Sequence, residues 1–345
     1  MPDFSALSLP VLGLAFLGAA AVVWFAGAKL AGYADEIADR SGLGHAVVGV
    51  LLLGAATSLP EIATTGVASL TGNGRMAVNN LIGGVSFQIV VLALADLFVR
   101  RGALTAMVPG PRTMLNAIIS IVLLVLVTIG VMMGDWPIPG LGIGVFPLLI
   151  AVTYVLSVWL LNKEGSASGW TPTEIFVEPD ERVQADFLAK RKLVALTTGA
   201  ALAILLAGTV LTLSAEAMAE KSGLDTGLLG LTLLAAATSL PELSTSIAAV
   251  RINRAELAIG DVLGGNMFDI ALVLLVDAGL RGGLALRQVD QASMTAALIG
   301  ILLTAIFLVG LIERRDKAFL RMGYDSLAVL IVYIAGMGAI GFMSL

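Results

Sequence analysis

The hexapeptide "ATSLPE" occurs twice, at residues 56–61 and 237–242, each time inside a hydrophobic run. A glutamate near the middle of an apolar helix costs at least about 2.5–3.5 kcal/mol on membrane-insertion scales, so Glu61 and Glu242 call for a chemical reason. The proline before each glutamate removes a helix donor and clashes with the carbonyl four residues earlier. Pro60 and Pro241 therefore predict kinks that free the carbonyls of Ala56 and Ala237. Thr57, Ser58, Thr64 and Thr65 lie one turn either side of Glu61, and Thr238, Ser239, Thr245 and Ser246 do so for Glu242. All of these groups offer oxygen. Such a set suits a hard cation (Ca²⁺, Na⁺, K⁺ or Mg²⁺) and disfavours zinc or copper, and hydroxyls with loosened carbonyls lean towards Ca²⁺. Two glutamates brought together would be neutralised by one divalent cation, or by two monovalent cations or protons.

A second pair of stretches follows, "NNLIGGVSFQ" (79–88) and "GDVLGGNMFD" (260–269). Gln88 and Asp269 stand at the same distance after their glutamates, which predicts a four-membered centre of Glu61, Gln88, Glu242 and Asp269. The paired glycines, Gly83 with Gly84 and Gly264 with Gly265, read as places where a neighbouring backbone approaches closely. Asp261, matched by Asn80, reads either as lining an access path or as a solvated charge near the outer end of its helix. Asp96 and Asp277 precede Arg100 and Arg281 by four residues, the spacing of helix-end ion pairs. His45, the only histidine, reads as an interface residue.

The elements that must position these groups are membrane helices. Of 345 residues 58% are hydrophobic and only 13% charged, with mean hydropathy +0.98, far from the balance of a soluble domain. The apolar runs are too long and too little alternating for barrel strands. The chain reads as an all-α integral membrane protein with ten spans, near 9–30, 44–70, 76–99, 114–133, 141–161, 193–219, 227–250, 256–279, 291–312 and 325–343. There is no cysteine for disulfides or thiolate metal sites. "MPDFSALSLP" lacks a basic n-region, so the first run is expected to be a retained span. If the N-terminus lies on one side, Arg75, Lys221, Arg281 and Arg287 share it and the other Lys and Arg residues lie opposite. The positive-inside rule then makes that opposite side cytoplasmic, with both termini outside a plasma (inner) membrane.

Residues 162–192 form one polar, mixed-charge stretch that reads as a short cytoplasmic linker. It separates a first five-helix repeat (1–161) from a second (193–345). With one constant offset and no gap, "SGLGHAVVGVLLLGAATSLPE" (41–61) aligns with "SGLDTGLLGLTLLAAATSLPE" (222–242), and Gly83, Phe87 and Asp96 fall on Gly264, Phe268 and Asp277. Five spans per half is an odd number, so the repeats must be inverted. Inverted repeats with interrupted helices at matching places point to a secondary transporter with a midplane site. A passive channel would not need carboxylates that must always be neutralised. An intramembrane hydrolase would not need a duplicated acid pair. No enzyme activity, cofactor or nucleic-acid partner is expected.

"GAATSLPE" with "GGVSFQ", and "AAATSLPE" with "GGNMFD", resemble the two α-repeats of the sodium/calcium exchanger family, in the calcium/cation antiporter superfamily and of prokaryotic type. The resemblance implies an antiporter that exports Ca²⁺ against inward cation flow by alternating access, with spans one and six sliding against the bundle. It implies Glu61, Glu242, Thr57 and Thr238 as Ca²⁺ ligands, and Ser58, Ser239 and the carbonyls of Gly54 and Ala235 at flanking Na⁺ sites. The family usually carries Gly-Ser-Asn, an apolar residue, then Phe-Asn or Phe-Asp. Here Gly84 and Gly265 replace the serines, Val85 replaces the first asparagine and Gln88 the usual Asn. The missing hydroxyls weaken the flanking Na⁺ sites more than the central one, which leaves Na⁺ and H⁺ as alternative counter-ions.

Overall fold

The computed structural model describes residues 4–100, 102–108, 110–163, 189–221, 234–280, 283–314, 318–319 and 322–343. Arg281, the start of the expected span 227–250 and most of the linker lie outside them. The described residues are α-helical apart from connecting loops, short 3₁₀ turns, a π-helical turn at Gly49–Leu53, an isolated bridge between Pro137 and Gly144 and a two-stranded pairing of Ala318–Phe319 with Met322–Gly323. In chain order the helices are α1 (Leu9–Ser41), α2 (His45–Thr57), α3 (Leu59–Leu70), α4 (Gly74–Asp96), α5 (Pro111–Met133), α6 (Val145–Lys163) and α7 (Lys190–Lys221). They continue with α8 (Ala235–Thr238), α9 (Leu240–Arg251), α10 (Ala255–Ala271), α11 (Val273–Gly279), α12 (Gln291–Glu313) and α13 (Tyr324–Met343).

Local signals set the ends. Proline opens α1, α3, α5 and α9, where its missing N–H has no helical partner to lose. Asn73 and Asp290 cap α4 and α12 by accepting from the N–H groups of Met76 and Ser293. Gly42 (φ 70°) and Gly134 (φ 78°) close α1 and α5 in the left-handed region.

Among the described residues seven helices are long and apolar enough to cross a membrane, or eight if α2 and α3, bent by 45°, form one span. α6 is a shorter apolar helix, over Val145–Leu161. Each expected span overlaps helix among the described residues, with residues 97–99 and 141–144 outside it. Span one runs on to Ser41, because the acids that hydropathy counts against it, Asp35 and Asp39, find cationic partners (below).

The centre of the bundle is α4 and α10, which are buried almost throughout. Large apolar side chains stand exposed on α1, α7 and α13, including Leu14, Phe25, Leu206 and Ile334, as lipid-facing helices require. α1 and α7 run antiparallel: Phe16–Ala20 meet Ala207–Ala215, while the end of α1 near Tyr33 meets Ala195–Ala200. The glycine expectation holds for the second half. A Cβ on Gly264 would sit 2.5 Å from the Cα of Val50, and one on Gly54 2.7 Å from the amide nitrogen of Gly265. α2 and α10 thus cross backbone to backbone. Gly84 has open space where a Cβ would stand.

Asp96 does not follow the ion-pair expectation, while the expected partner of Asp277, Arg281, lies outside the described residues. Asp96 accepts from the amides of Leu104 and Gly323, both at 2.7 Å. Asp277 accepts from those of Ala285 and Gly144, both at 2.6 Å. Each buried acid takes one N–H from the chain that turns back after its own helix and one from the opposite half, and Arg100 stands exposed to solvent.

A candidate cation site where the two halves meet

The ATSLPE motifs break their helices as the prolines predict. Ser58 and Ser239 leave helical geometry, and α3 and α9 restart with Pro60 and Pro241 in their first turn. A π-helical turn, Gly49–Leu53, precedes the first break. Sequence reading missed it, and its signal is Gly49, whose backbone lies against that of Leu257 and Asp261. The restart places each glutamate in the first turn of its new helix, the positive end of the helix dipole.

The four expected central residues are buried: Glu61 at 1% exposure, Gln88, Glu242 and Asp269 at 0%. They come from α3, α4, α9 and α10. Glu61 lies beside Glu242, Asp269 and the Thr238 hydroxyl, and Glu242 beside Asp261, Asp269 and that of Thr57. Gln88 donates through Nε2 to Asp269 Oδ2 at 2.9 Å, so the two positions matched in sequence touch in space. None of the four carboxylate oxygens of Glu61 and Glu242 accepts a hydrogen bond, and Asp269 Oδ1, Gln88 Oε1, Ser58 Oγ and Ser239 Oγ are likewise without partners. Buried polar atoms left in that state cost about 1–3 kcal/mol each, more when charged. Gathered unsatisfied oxygens around one point are what a hard cation would satisfy.

Thr57 and Thr238 are also at the break, with hydroxyls turned partly to their own helices: Thr57 to the carbonyl of Leu53 at 3.0 Å, Thr238 to that of Ala235 at 3.3 Å. The carbonyls of Gly54 and Ala235 accept the amides of Ser58 and Ser239 and, at 3.3 Å each, have the hydroxyls of Thr57 and Thr238 as second donors, so a flanking cation at either carbonyl takes the place of a threonine hydroxyl. Thr64 reaches the Pro60 carbonyl at 2.8 Å.

Asp261 settles between its two readings: it is not a solvated charge. It has no exposed surface, and its two oxygens accept from Thr57 (3.2 Å) and from Thr245. Asn80, its counterpart, lines a cavity of about 150 Å³ between α3, α4 and α7 that extends past Thr64 and Thr65 to exposed Thr71 and to Glu216. Sequence reading also missed Asn266, buried with both polar side-chain atoms unpartnered. Its signal was a polar residue where the first half has Val85. His45 lies 2.9 Å from Asp35 Oδ1, which in turn takes the Arg254 guanidinium at 2.5 Å.

Similar proteins bear on this geometry. A family model described as "Sodium/calcium exchanger protein" matches residues 11–161 and 192–339. The inner membrane protein YrbG of Escherichia coli is 28% identical over 82% of this chain and 83% of its own length. A putative antiporter, CaxA of Alkalimonas amylolytica, is 25% identical over 89% of this chain and 94% of its own. Over a shorter stretch, 34% of each chain, the sodium/calcium exchanger MaX1 of Methanosarcina acetivorans is 32% identical. The solved structure of the sodium-calcium exchanger NCX_Mj superposes with a TM-score of 0.70 over 96% of this chain and 99% of its own, at 18% identity, a likeness of fold. The family is one of membrane transporters, and with its model covering both halves the chain belongs to the sodium/calcium exchanger family.

Proposed function

We propose that the protein is a secondary active antiporter that moves Ca²⁺ out of the cell in exchange for Na⁺, at a midplane site shared by two inverted five-helix repeats. The observation that carries this is the set of four unpartnered carboxylate oxygens on Glu61 and Glu242, one residue from each half, buried side by side. Two such charges in a low dielectric must be neutralised in every state, so one ion leaves only as another arrives; that obligation is what couples exchange. In this reading Glu61 and Glu242 hold Ca²⁺ with Thr57 and Thr238. Asp269 and Gln88 complete the centre, and Ser58, Ser239 and the carbonyls of Gly54 and Ala235 serve flanking Na⁺.

The antiparallel packing of α1 on α7 supports inverted repeats, and the names of MaX1 and NCX_Mj support Ca²⁺ and Na⁺ as the exchanged ions. Ten spans, both termini outside and an inner-membrane location complete the proposal, the last supported by the name of YrbG. One observation favours H⁺ as the alternative counter-ion: Gly84 and Gly265 offer no hydroxyl where the family usually has serine, so the flanking sites are short of oxygen. The test is radioactive Ca²⁺ flux in proteoliposomes under separately imposed Na⁺, K⁺ and H⁺ gradients. Flux driven by Na⁺ is expected. Flux driven by H⁺ alone selects the second reading, and flux indifferent to all three ends both.

A further inference from the structure

We propose that Asp261, with Thr57, Thr245 and Glu242, forms an additional subsite that takes one monovalent metal cation of Na⁺ size. The inference rests on Glu242 being a cation ligand, as proposed above.

Asp261 is a fourth buried carboxylate beside Glu61, Glu242 and Asp269, and the hydrogen bonds it accepts come from neutral hydroxyls. Those hydroxyls serve two masters. Thr57 has the carbonyls of Leu53 at 3.0 Å and Gly54 at 3.3 Å within reach besides Asp261 at 3.2 Å. Thr245 has those of Pro241 at 3.1 Å and Glu242 at 3.0 Å besides Asp261. A hydroxyl has one proton. Whenever it goes to the helix carbonyl, the lone pairs of the hydroxyl face the carboxylate oxygen, an arrangement that a cation bound by both oxygens, or a proton on the carboxyl, makes favourable. The neighbouring Glu242 supplies the independent sign of a ligand. It is fully buried, lies beside Asp261 and the Thr57 hydroxyl, and neither of its oxygens has a hydrogen-bond partner.

Charge sets the valence. Of the four carboxylates, Glu61 and Glu242 match one divalent ion and Asp269 takes the Gln88 amide, which leaves Asp261 with one negative charge among neutral hydroxyls for one positive charge to balance. Oxygen-only ligation from carboxylates and hydroxyls selects a hard ion. The first half has no such subsite, since Asn80 stands in place of Asp261 with both polar side-chain atoms unpartnered.

The test is equilibrium binding of radioactive Na⁺ to the purified full-length protein at fixed pH, with Asp261→Asn as the near-isosteric variant. Wild type is expected to bind one more Na⁺ per chain than Asp261→Asn. Thr245→Val, which keeps the charge and removes a hydroxyl ligand, is expected to raise the half-saturating Na⁺ concentration by about tenfold. Equal Na⁺ counts in wild type and Asp261→Asn overturn the subsite. So does a wild type that binds no Na⁺, or a variant whose only change is in protons taken up. The transport reading fails separately: if Ca²⁺ flux is absent while the Asp261-dependent Na⁺ remains, the subsite stands and calcium antiport falls.

Discussion

The segment Ala63–Ala68 of α3 and its counterpart Ser244–Ala249 of α9 occupy matching places in the two halves, yet their surroundings differ. In α3, Ala63, Thr64, Gly66, Val67 and Ala68 are all partly exposed, several of them along the cavity that reaches Asn80. In α9 every residue of the counterpart except Ala248 is buried. The glycines that pack on the two segments differ too. Gly208 of α7 sits against Pro60, where an added Cβ would be 2.4 Å from its Cγ. The matching Gly27 of α1 sits against Ser244, three residues beyond the matching proline. The end of α1 is then fastened: Asp35 is buried against Arg254 and His45, and Asp39 lies 3.4 Å from each. The matching end of α7 carries Glu216 at the cavity, and Asn73 stands where Arg254 would be. Matching segments of the two halves thus hold an open mouth and a closed one at once among the described residues. The α1–α7 pair rides differently along the two halves, and a charged clasp exists on the closed side.

The clasp is the part whose loss should show most. Arg254→Ala takes the guanidinium away from buried Asp35, and removing one member of such a pair costs about 3–5 kcal/mol. The expected result is a lower thermal midpoint and faster hydrogen exchange at the end of α1, with the end of α7 unchanged; equal change at both ends would remove the distinction between the mouths. Next comes Gly27→Ala, whose Cβ would overlap the Ser244 hydroxyl at 1.8 Å and which is expected to cost about 1–3 kcal/mol. Gly18→Ala on the same helix, with nothing within 4 Å, is the control and should be neutral or stabilising. A smaller effect is expected of Gly84→Ser and Gly265→Ser, which restore hydroxyls beside the centre. Gly84 has open space, while at Gly265 the Cβ would stand 3.3 Å from Gln88 Oε1 and 3.6 Å from Ser58 Oγ. The pair should increase the Na⁺ dependence of Ca²⁺ flux, and an unchanged response would show that the glycines do not limit the flanking sites. Smallest is Arg75→Ala, which breaks the half-exposed Arg75–Asp290 pair at the cavity side and should cost under about 1 kcal/mol by thermal melting.

Much of this was legible in the residues. Proline, glutamate and the constant spacing between halves located both helix breaks and brought Glu61, Gln88, Glu242 and Asp269 to one place, because a buried carboxylate and a missing N–H have few alternative explanations. The rest depends on partners distant in sequence. Asp35 and Asp39 read as the end of a span until Arg254 and His45 reach them and let α1 continue. Asp96 is matched by spacing to Arg100, but its N–H partners are Leu104 and, from the opposite half, Gly323, which local spacing cannot show. The depth of Asp261 was undecidable from its helix alone, because Thr57 and Thr245 lie on two other helices. The difference between the mouths has sequence counterparts in Arg254 against Asn73 and Ile247 against Gly66, but which mouth is open also depends on how α1 and α7 sit against the bundle.

The central claim is that Glu61 and Glu242 form one cation site across the two halves. Its most direct test is Na⁺-driven uptake of radioactive Ca²⁺ into proteoliposomes by wild type, Glu61→Gln and Glu242→Gln, with correct folding checked by thermal melting. Abolished uptake in each variant, with folding retained, is the expected result; full uptake by either one would contradict a shared site.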